Sequence, residues 1–265
     1  MNNNYDNIIL SGEKIYGDDF SLGEIKEWYA DEAEGYAGIV PESHKDNFDE
    51  YNKEVYRYSY RFLKKPVYDD VLVYGGGYGT EIIPILDRIG NVVILEPGEK
   101  FRRETISGKK VAYIVPEESG EMRFSDKSFD LITCLGVLHH IPNVTYIINE
   151  MYRVLKNGGE CIIREPITSM HAFDDNIRKG LTKRERGIPL SPFRKAILDA
   201  GFQIQEEHLH GFGPITKLPL QIQFSTPIMV IDDILCSVFK KNYTYNSYSF
   251  WKRFRPTVVS FVLKK

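Results

Sequence analysis

Val71-Leu72-Val73-Tyr74-Gly75-Gly76-Gly77-Tyr78-Gly79-Thr80 decides how this chain is read. An apolar, β-branched run ends in glycines, and a helix-like segment follows. That is the pattern of a buried strand feeding a tight turn and a helix N-terminus. Glycine lets the backbone turn sharply and lets a ligand come close. The helix start offers N–H groups and the positive end of a dipole. A ligand with a nucleoside and a charged end suits such a place. Gly75, Gly77 and Gly79 are spaced G-x-G-x-G, whereas the dinucleotide fingerprint is G-x-G-x-x-G, with Thr80 standing at its third glycine. The glycines alone also suit a plain turn.

The downstream segments narrow the reading. Asn91-Val92-Val93-Ile94-Leu95-Glu96 reads as a second strand ending in a carboxylate, about 20 residues past the turn, where doubly wound folds place an acid for ribose hydroxyls. Phe124-Ser125-Asp126-Lys127-Ser128-Phe129-Asp130-Leu131-Ile132-Thr133-Cys134-Leu135-Gly136-Val137-Leu138-His139-His140-Ile141 comes next, then Val154-Leu155-Lys156-Asn157-Gly158-Gly159-Glu160-Cys161-Ile162-Ile163-Arg164-Glu165-Pro166. This series, in this order, resembles the class I S-adenosylmethionine-dependent methyltransferases. It is similar in particular to the small-molecule, type 11-like branch, with its "SFD…LHH" and "VLKPGG" segments. The resemblance covers residues 67–210.

Periodicity places strands at 70–74, 91–96, 110–115, 129–135, 159–165, 202–210 and 257–264, and helices at 79–89, 99–106, 144–156 and 192–200. The last of these helices has Ser191 to cap it, Pro192 at its first position and Gly201 at its exit. Alternating β and α elements predict an α/β fold: a Rossmann-like, mostly parallel sheet with helices on both faces. The resemblance implies seven strands, the last antiparallel. Residues 1–66 read as an N-terminal helical cap, with one helix at 20–33 and a second carrying Tyr51, Val55, Tyr58 and Phe62 on one face. Residues 67–211 and 256–265 form the cofactor-binding core. Residues 212–255, rich in Phe, Tyr and Trp, interrupt the last hairpin. Together with the N-terminal helices they suit a lid over the carboxyl ends of the strands; the alternative is a homodimer interface.

Composition excludes several classes. With 265 residues and 42% hydrophobic residues the chain can bury a full core. No apolar run approaches a membrane span, and the start lacks a signal-peptide pattern, so a cytoplasmic protein with no membrane partner is expected. Cys134, Cys161 and Cys236 have no metal-ligand spacing, so buried thiols and no metal are expected. The net charge of −3 argues against a nucleic-acid partner. Charge is uneven, however. Residues 1–60 hold 14 acids and 5 bases, and residues 240–265 hold 7 bases and no acid. Solvated ends that attract each other account for this most simply.

The resemblance implies S-adenosylmethionine as cofactor, S-adenosylhomocysteine as product, and a set of site residues. Gly75, Gly77 and Gly79 would approach the methionine and sugar. Tyr74 departs from the family, which usually has an acid there to hold the amino-acid moiety; the departure implies either weaker cofactor binding or a replacement acid from the N-terminal region. Glu96, with Pro97 beside it, would take the ribose. Glu118 and Ser119 would contact adenine, with Glu117 competing. Leu135 and Gly136 would lie under the sulfur, and Trp28, Tyr29 and Tyr36 over the cofactor or in the core. His139, His140 and Glu165 are the candidate catalytic groups, since a histidine titrates near neutrality and can take a proton. The reaction expected is methyl transfer to an oxygen or nitrogen of a small molecule. The alternatives are a non-catalytic S-adenosylmethionine-binding or scaffolding protein and a methyltransferase acting on a macromolecule. Against the last, Cys134-Leu135-Gly136-Val137 stands where an N-P-P-Y type motif would be.

Overall fold

Side chains of a strand alternate between faces, and in the central strand both faces are apolar. In the computed structural model, β1 (Tyr68–Tyr74) sends Leu72 and Tyr74 into one core and Val71 and Val73 into the other. The structure describes residues 10–39, 49–170, 182, 184–246 and 249–265, with the backbone alone for 33–39. Around β1 lie β2 (Ile89–Leu95), β3 (Ala112–Ile114), β4 (Phe129–Leu135), β5 (Leu155–Pro166), β6 (Gln203–Phe212) and β7 (Pro256–Lys264). They form one sheet in the order β3-β2-β1-β4-β5-β7-β6. The first five are parallel, and β7 runs antiparallel between β5 and β6. All seven expected strands are present. A register shift between Phe129 and Leu131 turns Phe129 onto the face of Ile132 and Cys134.

Helices cover both faces. On one side are α3 (Val144–Val154) and α4 (Leu190–Asp199), whose Ile147, Met151, Phe193 and Ile197 are fully buried. On the other, α2 (Asp49–Tyr58) brings Val55 against Val71 and Ile82. Helix α1 (Leu22–Ile39) precedes them. Its start is a capping box: Ser21 N and Oγ donate to Glu24 Oε2 at 2.8 and 2.7 Å. The three cysteines are free and buried, as expected. Among the described residues no helix is long and apolar enough to cross a membrane.

Three local expectations are corrected. The segment after the glycine turn, Thr80–Arg88, is wound as a 3-10 helix rather than an α-helix. Pro84 has no N–H to offer Thr80, and Asn52 Nδ2 donates to that carbonyl instead, at 3.1 Å. The helix expected at 99–106 shrinks to a single turn, Glu99–Phe101, followed by a hairpin pairing Thr105 with Lys110 and Ile106 with Lys109. Ser107 and Gly108 carry positive φ of 47° and 84°, the requirement of a two-residue hairpin turn. Helix α4 starts at Leu190 after Pro189, with no side-chain cap, so Ser191 and Pro192 lie inside its first turn.

The glycine turn is sterically bound to these neighbours. Gly79 has φ +70°, and a Cβ there would sit 2.3 Å from Ile106 Cδ1. Gly79→Ala is expected to lower stability by about 1–2 kcal/mol in urea unfolding, because a left-handed alanine is strained and Ile106 must move.

Candidate active site

A cavity of about 400 Å³ opens at the carboxyl edge of the parallel strands. Its wall begins with the strand ends. Tyr74 and Gly75 follow β1, Leu95, Glu96 and Pro97 follow β2, and Gly136 and Val137 follow β4. Val115, Pro116, Glu117 and Glu118, beyond β3, form one end, and His140 and Ile141 form part of the rest. Helix α1 closes it with Lys26, Tyr29, Ala30 and Glu32. None of the described residues between 212 and 255 lines this cavity. Helix α1, part of the expected N-terminal cap, supplies this side of the wall.

The glycine turn is tied down on both sides. Gly75 N–H donates to Leu95 O at 2.7 Å, and a Cβ on Gly75 would lie 2.4 Å from Val137 Cγ1. Gly77 N–H donates to Glu96 Oε2 and Gly98 N–H to Glu96 Oε1, both at 2.9 Å. Glu96 is 1% exposed, and burial raises its pKa against the pull of those two amides. Gly77 and Gly79 therefore support the wall rather than form it. Tyr113, which sequence reasoning passed over, donates its hydroxyl to Gly77 O at 3.0 Å.

The loop 137–141 is held more completely. Glu165, fully buried, accepts N–H bonds from Val137 (2.8 Å), Leu138 (2.7 Å) and His139 (3.3 Å), and its Oε2 lies 2.7 Å from His139 Nδ1. Arg186 takes the carbonyl side: Nη1 donates to His139 O (2.7 Å) and Leu138 O (3.1 Å), and Nη2 to Ile141 O (2.8 Å). Trp28 Nε1 donates to the remaining carbonyl, His140 O, at 2.7 Å.

This geometry separates the expected site residues. Tyr74, Gly75, Glu96, Pro97, Glu118, Gly136 and His140 stand in the cavity wall. Glu117 does too, so of the three residues weighed for adenine the wall holds Glu117 and Glu118. Ser119 lies behind, its carbonyl accepting from Asn143 Nδ2 at 2.8 Å. Leu135 is buried in the core under Gly136. Trp28 is fully buried and does not lie over the cavity, because its indole is spent on His140 O. Glu165 does not face the pocket, because its oxygens are turned onto the loop. Tyr36 lies where side chains are outside the described residues. Arg186 and Glu32 were not singled out from the sequence. Glu32 nonetheless supplies an N-terminal acid in the wall where Tyr74 has replaced one.

The two histidines differ in electrostatics. Burial disfavours the His139 cation, but Glu165 and Glu185 outweigh it and raise its pKa to about 9. Glu185 Oε1 lies 3.5 Å from His139 Nε2. His140 is lowered by burial and by the charge on His139. Its Nδ1 lies 2.8 Å from Glu32 Oε2, and that carboxylate also accepts from Thr182 Oγ1 (2.6 Å) while its Oε1 accepts from Arg184 N (2.9 Å). His139, His140 and Glu185 each bring a ligating atom within 4.8 Å of the others, the one such group among the described residues. The atoms of His139 are already engaged by the two carboxylates.

The comparisons agree with this geometry. Residues 72–163 match the methyltransferase domain family. Over 98 residues the chain is 34% identical to a sterol 4-C-methyltransferase of Caenorhabditis elegans, covering 37% of this chain and 27% of that one. Over 133 residues it is 26% identical to a ubiquinone biosynthesis O-methyltransferase of Pseudomonas putida, covering 46% of this chain and 53% of the relative. The chain thus spans about half, or less, of the length of these relatives. A putative methyltransferase of Bacillus halodurans shares the fold with a TM-score of 0.53 at 20% identity, over 82% of this chain and 98% of that one. An S-adenosylmethionine-dependent methyltransferase of Archaeoglobus fulgidus does so at 0.57 and 15% identity, over 84% and 97%. Residues 72–163 thus match the methyltransferase domain family, and the chain has the fold of class I S-adenosylmethionine-dependent methyltransferases. S-adenosylmethionine is the cofactor of that class, and the residues here fit it. The cavity has the size of a small-molecule site. The glycine turn leaves no room for a Cβ at Gly75, and a buried carboxylate ends β2.

Two outcomes follow. Glu165→Gln leaves the His139 cation short of one buried partner, and is expected to cost about 3–5 kcal/mol in denaturant unfolding. Glu81, buried behind the glycine turn, has a pKa raised to about 8 by burial and then by Glu96. The native state keeps this proton while the unfolded chain has lost it, so Glu81 contributes full stability at low pH and subtracts progressively as pH rises to about 8. Glu81→Gln is expected to match the wild type near pH 4 and exceed it in thermal stability at pH 8 and above.

Proposed function

We propose that this protein transfers the methyl group of S-adenosylmethionine to a hydroxyl oxygen, or to a nitrogen, of a small molecule. The observation that carries the reading is the wall of one cavity. A glycine turn and Glu96 lie along it, and a neutral histidine backed by a carboxylate shares it. The cofactor supplies, when bound, a methyl group on a positively charged sulfur. The chain's residues supply position and proton transfer. Glu96 accepts the ribose hydroxyls with lone pairs not used by Gly77 and Gly98. Gly75 and Gly136 let the ligand lie against the backbone, and Glu117 and Glu118 border the adenine end.

His140 is the base in this reading. Glu32 beside Nδ1 holds the proton on that nitrogen and leaves Nε2 as the basic one. The lowered pKa keeps the ring neutral near pH 7, ready to take the acceptor's proton as the methyl is attacked. Glu165 and Arg186 are positioning residues: they fix the loop that carries His140. Helix α1 excludes water from the sulfur end with Tyr29, Ala30 and Glu32. The relatives named for sterol and ubiquinone-precursor methylation support a small-molecule acceptor, and the predominantly apolar wall supports one with a large apolar body.

Calorimetric titration with S-adenosylmethionine, S-adenosylhomocysteine and NADH tests the cofactor site. Both adenosyl compounds are expected to bind, NADH not, and Glu96→Ala to abolish binding. NADH binding, or no adenosyl binding to the folded wild type, would overturn the reading. Once an acceptor is identified by screening, His140→Ala is expected to lower kcat by about 10²–10⁴ with little change in cofactor affinity. Glu32→Gln should shift the pH profile of kcat without abolishing turnover.

A further inference from the structure

The insert between β6 and β7 carries a helix that is apolar on two faces but packed on one. Helix α5 (Thr226–Phe239) buries Met229, Asp232 and Cys236 against the end of β6. Its opposite face, Val230, Ile231, Ile234 and Val238, points to solvent, with Val238 67% exposed. These positions recur at helical spacing and make one stripe. A helix apolar all round is ordinarily covered on all sides. Two further large apolar side chains of the insert are exposed, Phe250 at 60% and Trp251 at 74%. Their turn is fastened beside the end of α5, since Asn242 Nδ2 donates to Trp251 O at 2.9 Å and to Phe254 O at 2.8 Å. Exposed apolar surface of this extent marks an interaction site.

The charges around the stripe identify what covers it. Lys240 and Lys241 directly follow α5, and Lys252 and Arg253 directly follow Trp251. No acid occurs between Ile234 and Lys265. The two acids of α5 are engaged elsewhere. Asp232 accepts the N–H groups of Gly211 and Phe212 at 2.8 and 2.7 Å, and Asp233 pairs with Arg57. We infer that this face docks, lying flat, on an anionic lipid bilayer. Aliphatic side chains and a Trp–Phe pair on one side, rimmed by Lys and Arg, are the composition of interfacial helices. Fourteen residues make a rod of about 21 Å, too short to span. A second copy of the chain fits less well. A twofold interface would set the same cations against each other with no acid to answer them.

The surface also lies where docking would serve the site. Strand β6 ends at Phe212 and β7 starts at Pro256, so the insert leaves the sheet at the carboxyl edge, the edge at which the cavity opens. An apolar acceptor dissolved in the bilayer would then lie beside the edge that receives it. The docking itself rests on the surface alone and stands whether or not methyl transfer is the activity.

The chain carries its own reporter. It has two tryptophans, of which Trp28 is fully buried and Trp251 is exposed. Emission from Trp251 is expected to shift to the blue on adding vesicles of phosphatidylcholine and phosphatidylglycerol in equal parts. The protein should sediment with them about tenfold or more better than with phosphatidylcholine alone. Ile234→Glu with Val238→Glu, both exposed positions, should abolish binding without altering the thermal transition. Lys240→Glu with Lys241→Glu should erase the preference for the anionic lipid. Absence of binding to the anionic vesicles would overturn the inference. So would binding unaffected by the paired α5 substitutions, or a concentration-dependent dimer of the wild type that those substitutions dissolve.

Discussion

The candidate site depends on one constraint, the saturation of the backbone around residues 137–141. Three successive N–H groups point at one buried carboxylate, Glu165, and the carbonyls of residues 138–141 are taken by Arg186 and the Trp28 indole. A loop at the end of a strand normally leaves such groups to water. Here water is replaced by fixed charges of opposite sign on opposite sides of the chain. That arrangement is stable only because each charge is itself answered. Glu165 meets His139, and Arg186 is neutralised by the carbonyl dipoles and stacked over Trp28 at 5.0 Å. His140 is thereby placed within the cavity wall by bonds to its neighbours' backbone and to its own carbonyl, with Glu32 fixing the ring.

Much of this was legible in the sequence, and the exceptions share a cause. The strands could be read because parallel, doubly buried strands are written as local β-branched runs. The order of glycines, Glu96, "SFD…LHH" and "NGG" then fixed the class of fold. The turn at Ser107-Gly108 was a local signal too, outweighed by the expectation of a helix after β2. Glu165 was found but aimed wrongly, since a strand-end acid gives no indication of whether it faces a ligand or the next loop. Trp28, read as lying over the cofactor or in the core, lies in the core with its indole on the histidine loop. Arg186 and Glu32 carry no local signal: one arginine among many, one acid in a helix rich in acids. Only tertiary packing, 45 and more residues apart in sequence, turns them into partners of the histidine loop.

Tyr74 illustrates how such a site tolerates an atypical residue. Its position at the end of β1 is one where an acid is usual, yet its ring is buried and forms part of the cavity wall. One acid of α1, Glu32, does reach the same wall, with its oxygens on His140, Thr182 and Arg184. A carboxylate already lies buried at Glu96, and Glu81 close by has been driven to the neutral form. A further ionised acid at position 74 would have added a like charge to that low-dielectric corner. An acid on a separate helix keeps the negative charges apart.

Helix α1 meets the site at two depths. On the rim, α1 is linked to the strand ends by Lys26 and Glu118, a solvent-exposed pair at 3.5 Å of the kind worth about 0–1 kcal/mol. Deeper in, the same helix holds His140 twice, through the Trp28 indole on its carbonyl and Glu32 on its ring. The rim contact yields readily, while the deeper two do not yield without releasing the histidine. A displacement of α1 would therefore break both contacts to His140. The same helix thus walls the cavity and fixes both the carbonyl and the ring of His140.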